Sequence, residues 1–466
     1  MKSKTFIKNV LKVAFSNGIS LLAGLAIGLI IPKLLGVRDY GFYKRYALYL
    51  SYVGLFHFGF IDGIYLKYGG KEYHDLDKPK FRTYTSFLLL LETIITVIIV
   101  LVAIFILKGD NKFIFLSLGV SLFITNITTY FKFISQITSR FNELSVMNIL
   151  YSIFQIIIVG IIYLFSLNNY LEYISLLLII NLVIMIIYGY IYRDIIFGKR
   201  NKFKEEKSEI GLFFKIGLIL LLSNIINIFI MNVNNQVVDI FYDETIFGIY
   251  SFSFTLLSII ATIISAISVV IYPLFKQLDS EKLKNNYSLA NSLMLILIFV
   301  CITIYFPLCE FVKAYLGEYV DSLKIVRIIF PSIAITSTIM IIKHNYYKTF
   351  NLNKEYLILG IMAFVVMVGL NFGAFLVFGT LNAIAISTII AFLLWYLFLE
   401  GFLSKRFNIK TLKELLYLVI MMSVFYGSSM IVNNYLGMAI YFVLIIVISL
   451  MFYFDRIKNF RQIREK

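Results

Sequence analysis

Charge is what this chain has least of: Asp, Glu, Lys and Arg make up 15% of its 466 residues, while 60% are apolar. Soluble domains carry about 25% charged and about 45–50% apolar residues, so a soluble globular enzyme is excluded. Cysteine is scarce too. Cys301 and Cys309 both fall near the end of one apolar run, which supports neither a disulfide framework nor a metal cluster. His57, His74 and His344 are scattered and offer no ligand spacing, so no metal is expected. There is no nucleophile elbow, no phosphate-binding glycine loop and no carboxylate pair at useful spacing, so no catalytic residue and no cofactor is implied.

What is present is long apolar runs, with a mean hydropathy of +0.89. Such continuous hydropathy excludes an outer-membrane barrel, whose strands alternate polar and apolar residues. Lipid offers backbone groups no partners, so each crossing must be helical. At about 20 residues per crossing the chain has room for about fourteen spans, among them 43–66, 83–107, 113–137, 211–235 and 324–348. The basic start, Lys2, Lys4, Lys8 and Lys12, precedes a long apolar run without a cleavage site and reads as a retained first helix.

The net charge of +16 has a membrane explanation rather than a nucleic-acid one, because cations collect at cytoplasmic helix ends. With the N-terminus inside, 33 Lys and Arg fall on the cytoplasmic side and 9 outside, which places both termini in the cytoplasm. No connection exceeds about 20 residues, so no loop can hold a soluble catalytic domain.

The chain also repeats itself. A shift of 207 places Lys8 on Lys215, Ser16-Asn17 on Ser223-Asn224, Gly41 on Gly248, Tyr43 on Tyr250 and Tyr65 on Tyr272. A shift of 211 places Thr125 on Thr336, Lys132 on Lys343 and Asn142 on Asn353. Six helices separate equivalent points, so the halves enter the membrane the same way and form parallel repeats. The expected plan is an all-α polytopic membrane protein with lobes at 1–205 and 206–405, followed by helices 13 and 14 and a basic tail at 406–466.

Leu35-Gly36, Tyr40-Gly41-Phe42-Tyr43, Phe58-Gly59-Phe60 with Gly63, Ile271-Tyr272-Pro273 and Phe378-Gly379-Thr380-Leu381-Asn382-Ala383 follow one another along this plan. In that order they resemble the polysaccharide biosynthesis flippases of the multidrug/oligosaccharidyl-lipid/polysaccharide exporter (MOP) superfamily. The resemblance implies a non-enzymatic flippase in a bacterial cytoplasmic membrane. It would carry undecaprenyl-diphosphate-linked oligosaccharide to the outer leaflet, through a central cavity between two lobes in alternating access, for O-antigen, capsule or another surface polysaccharide. Lipid-linked oligosaccharide and membrane lipids are the implied partners, with polymerase and glycosyltransferases beside them and a monomeric state. Relatives that flip the peptidoglycan precursor carry an arginine pair midway along helix 2, where this chain has Val53-Gly54. Drug exporters use cavity carboxylates for cation coupling, and helices 1 and 7 have none at mid-membrane; Asp239 sits at the end of helix 7. The other readings are an exporter of drugs or another lipid, and, from a different class, a membrane glycosyltransferase or polymerase.

A lipid diphosphate bearing sugars needs cations, amides and aromatic faces along its path. Asn17 on helix 1 and Asn224, Asn227, Asn234 and Asn235 on helix 7 are the clearest amides, the last four within an arc of about 100°. They suit either a watery cavity or hydrogen bonding between helices. Lys33, Arg38, Lys44 and Arg45 surround the outer ends of helices 1 and 2, and Arg38 and Arg45 are the preferred phosphate ligands because guanidinium stays charged. Snorkelling to headgroups is the alternative. Lys132 and Lys343 occupy matching places and suit a cytoplasmic mouth that receives the diphosphate, or plain anchoring. Glu92 and Glu400 are lone carboxylates in apolar runs and are candidates for a coupling ion. His57 and Asp62, five apart on a continuous helix, point in different directions and carry no expected role.

Overall fold

A computed structural model describes residues 2–277 and 280–463, with side chains placed for 16, 18–262, 264, 281, 283–284 and 286–454. Among the described residues every regular element is helical. Twelve helices are long and apolar enough to cross a membrane, thirteen when the bent pair Ser322–Ile329 and Ser332–Thr349 counts as one span. The first of the twelve is divided at Gly36, whose φ of 70° places it outside the helical region. Among the described residues the count is therefore twelve to thirteen, against the fourteen expected from the apolar runs.

The chain forms two compact units: residues 1–232 with 242–248, and residues 233–241 with 249–466. In the first unit, an aromatic core gathers Phe60, Phe81, Tyr84, Tyr130, Phe131, Tyr188, Tyr192 and Phe213, all nearly inaccessible. Helix starts follow local chemistry. Asp77 accepts from Lys80 N at 3.2 Å to open Lys78–Ile106, and Asn169 with Glu172 forms a capping box before Tyr170–Ile191. At Gly59 and Gly63, added Cβ atoms would overlap the backbone of Phe213 to Leu218, so only glycine lets these helices cross so closely.

Helix 2 is not the continuous span 43–66 that its apolar run suggests. It stops at Leu50, passes through the tight turn Val53–His57, and resumes as Phe60–Tyr68 after left-handed Phe58 and Gly59. The break overturns the helical spacing assumed for His57 and Asp62: His57 Nδ1 lies 3.7 Å from Asp62 Oδ2, and both side chains are buried.

In the second unit, Tyr287–Tyr315, Asn353–Phe378, Leu381–Phe407 and Leu412–Ser429 pack against the bent pair, and Asn434–Phe454 packs against Tyr287–Tyr315 and Leu412–Ser429. Trp395 is fully enclosed. Within Ser332–Thr349 the residues Ile339–Lys343 wind as π-helix, a wide turn that helices commonly use at functional positions. This turn leaves Lys343 fully buried.

Candidate functional site

Arg38, Lys44 and Arg45 of the first unit are built into aromatic and acidic surroundings. Arg45 donates from Nη1 to Asn111 Oδ1 at 3.1 Å and to Glu244 Oε1 at 3.3 Å, and it lies over Phe42. Arg38 is exposed and lies 5.7 Å from the centre of the same ring. Lys44 sits between Tyr40 and Tyr43, at 5.3 and 5.8 Å from their centroids, and Tyr43 meets Tyr173 edge-on at 4.8 Å. The sequence names these cations as a cluster and gives the tyrosines beside them no part in it. Their signal is the interleaving of Tyr40, Tyr43 and Tyr46 with Lys44 and Arg45.

Lys132 and Lys343 hold matching places in the repeat and unlike environments. Lys132 is half-buried on Gly109–Ile137, and among the described residues no carboxylate pairs with it. Lys343 is completely buried and ion-paired to Glu400. The Tyr287 hydroxyl lies 3.2 Å from Lys343 Nζ and donates to Glu400 Oε2 at 2.6 Å, and the Tyr396 ring covers the ammonium at 3.8 Å. Sequence reading placed Lys343 and Glu400 in separate roles; the structure joins them. Glu414, fully buried and bonded by the Ser288 hydroxyl, lies within electrostatic reach of Lys343, a placement that its position beyond the helix Leu381–Phe407 concealed.

The amides of Phe203–Phe241 differ in exposure. Asn224 is exposed and Asn227 is buried, donating to Ser223 O at 3.4 Å. Asn234 is fully buried and donates to the Tyr250 hydroxyl at 3.4 Å, and Asn235 is buried. Asn232, outside the expected set, donates to Ser51 Oγ at 3.3 Å where helix 2 breaks. The side chain of Asn17 lies outside the described residues.

Glu92 is fully buried and accepts from Asn126 Nδ2 at 2.9 Å. Asn126 also donates to Val53 O at 3.2 Å, so one amide ties the carboxyl to the broken helix. Below these, a cavity of about 580 Å³ is lined by Lys67, Lys80, Glu206, Glu209 and Lys215. Glu209 accepts from Lys67 at 2.6 Å and also pairs with Lys80, which neutralises most of that charge internally.

A family model described as polysaccharide biosynthesis protein matches residues 30–321. No curated protein matches the chain. Among solved structures, "Lipid II flippase MurJ, inward closed conformation" shares 15% identity at a TM-score of 0.70, over 97% of this chain and 100% of that one. A MATE transporter in complex with MaL6 shares 16% identity at a TM-score of 0.57, over 85% and 96%. A MOP superfamily transporter from Pyrococcus furiosus shares 15% at 0.57, over 86% and 97%. At these identities the likeness is one of fold, and it covers both compact units.

Proposed function

This chain belongs to the polysaccharide biosynthesis protein family, and on that footing we propose that it is a flippase for undecaprenyl-diphosphate-linked oligosaccharide, working by alternating access in a bacterial cytoplasmic membrane. The observation that carries the reading is Lys132. A cation inside a membrane helix is costly, and this one is left without a carboxylate among the described residues, as a site awaiting an external anion would be. Lys44 beside Tyr40 and Tyr43, with Arg38 and the Glu244-paired Arg45 beside Phe42, supplies further positive charge with flat ring faces, which suit a sugar diphosphate. Exposed Asn224 is the proposed amide contact to sugar hydroxyls, whereas Asn227, Asn234 and Asn235 are buried.

The diphosphate carries about two negative charges, and an inside-negative potential favours outward movement of each by ~2.3 kcal/mol per 100 mV. Flipping of the bare anion therefore runs downhill without nucleotide hydrolysis. Both termini belong on the cytoplasmic side under this reading. Single cysteines at exposed Val432 and at Asn168 should react with an impermeant reagent from outside intact cells, and one at Lys204 should not.

The deciding experiment uses purified protein in liposomes with a fluorescent undecaprenyl-diphosphate oligosaccharide, whose sugar is probed by an externally added glycosidase. The expected result is protein-dependent exposure of the sugar, with none for the same oligosaccharide on a neutral lipid. Dye or drug efflux without movement of the lipid would replace this reading with that of a drug exporter.

A further inference from the structure

Glu92 lies at the middle of the apolar helix Lys78–Ile106 and is fully buried. Oε2 accepts from Asn126, while Oε1, equally buried, has no hydrogen-bond partner. Among the described residues no lysine, arginine or histidine pairs with it. An ionised carboxylate at the centre of a membrane helix costs at least ~2.5 kcal/mol and needs cations or several donors to offset that cost. A single amide supplies neither. A carboxylic acid fits: the amide donates to its carbonyl oxygen and the other oxygen keeps the proton. A hard cation fits poorly, since it takes about six oxygen ligands, whereas Glu92 Oε2 and Val53 O are both already engaged by an N–H donor.

Titratable groups on the elements packed against Glu92 do not replace the proton. In the broken turn, His57 Nδ1 accepts from Gly59 N at 3.2 Å and faces Asp62. On Gly109–Ile137, Asp110 and Lys112 are near the far end, and Lys132 lies six residues past Asn126, about 9 Å along the axis. In the turn Arg193–Ile195, Asp194 is held by Tyr73 and Lys78 at the other end of Glu92's own helix.

We propose that Glu92 is an exchangeable proton-binding site of the first unit, with Asn126 carrying its protonation state to the break in helix 2. A broken membrane helix is where transporters place coupling sites, because its freed carbonyls need partners. The consequence for transport rests on the flippase reading; the chemistry of the site does not.

Dicyclohexylcarbodiimide separates the two. The O–H of an un-ionised carboxyl in apolar surroundings adds across the carbodiimide N=C bond, oxygen to carbon and proton to nitrogen. The O-acylisourea formed shifts its acyl group from oxygen to nitrogen, leaving a stable N-acylurea that peptide mass spectrometry locates. Full-length protein in nanodiscs should be labelled at Glu92, with yield falling about tenfold per pH unit once the carboxyl ionises. Glu92→Gln copies the neutral acid and should fold and melt like the wild type without taking up label. In proteoliposomes, wild-type flipping should respond to an imposed proton gradient and Glu92→Gln should not. Absence of a Glu92 adduct between about pH 6 and about pH 9, or a wild-type gradient response in Glu92→Gln, overturns the proposal. Wild-type protein that is labelled yet flips no lipid would refute the function reading and leave the proton site standing.

Discussion

Gly41 and Gly248, one repeat shift apart, meet backbone to backbone. A Cβ on Gly41 would overlap the carbonyl oxygen of Glu244 and come within 3.3 Å of Gly248 N. A Cβ on Gly248 would overlap the carbonyl oxygen of Val37 and come within 3.3 Å of Gly41 N. Val37 and Glu244 are themselves related by the same shift of 207, so the contact is reciprocal, as across a two-fold axis. Gly41→Ala or Gly248→Ala should therefore destabilise the fold by about 1–3 kcal/mol. Thermal unfolding in detergent reads this out, and substitution at Gly24, whose added Cβ meets nothing within 4 Å, serves as the control.

The Lys343–Glu400 pair makes a sharper prediction. Removing Lys343 strands Glu400 in the second unit's interior, so Lys343→Met should cost about 3–5 kcal/mol, while Glu400→Gln leaves Lys343 with Glu414 in reach and should cost less. The double variant removes both charges and should recover most of that loss. The coupling read from the double-mutant cycle by thermal melting is expected to be large, and additivity would count against the pair.

Lys132 should behave oppositely. With no carboxylate to strand, Lys132→Gln is expected to fold and melt as the wild type does. In the liposome assay it should slow flipping at least ~10-fold, equivalent to ~1.4 kcal/mol of lost anion binding in the rate-limiting state. Lys132→Arg should retain most of the rate.

Asp194 lies between the spans Tyr170–Ile191 and Phe203–Phe241 and outside both. Burial alone would raise its carboxyl, but the Tyr73 hydroxyl and Lys78, 3.3 Å away, hold it below its ordinary value of 3.8. The stabilisation is complete above that ordinary value and is lost as pH falls through the lower folded one. Because the Asp194 side chain is 44% exposed, the effect is under about 1 kcal/mol. Acid titration of thermal stability should show it, and Asp194→Asn should remove that part of the acid slope.

Much of the architecture was legible because membrane helices announce themselves by composition and duplication leaves ordered identities. Lys132 with Lys343, and Gly41 with Gly248, were aligned from residue types alone. The break at residues 51–59 was not legible, since Tyr52, Val53, Leu55, Phe56 and Phe58 keep the run apolar through it. Only Gly54 and Gly59 hint at it, and glycine is common in membrane helices. Nor does sequence reveal pairings across long separations. Lys343 and Glu400 lie 57 residues apart, and Glu92 and Asn126 lie 34 apart on different helices. The π-helical winding that buries Lys343 has no simple residue signature, which is why Lys343 and Lys132 looked alike on paper.

The unlike surroundings of these two repeat-matched lysines have an evolutionary consequence. Glu400 makes Lys343 a hostage, because losing Lys343 first would leave Glu400 as a stranded charge. The pair should be inherited or discarded as a unit across relatives. Lys132 has no such partner among the described residues, so if it receives the cargo as proposed it should vary across relatives with what they transport.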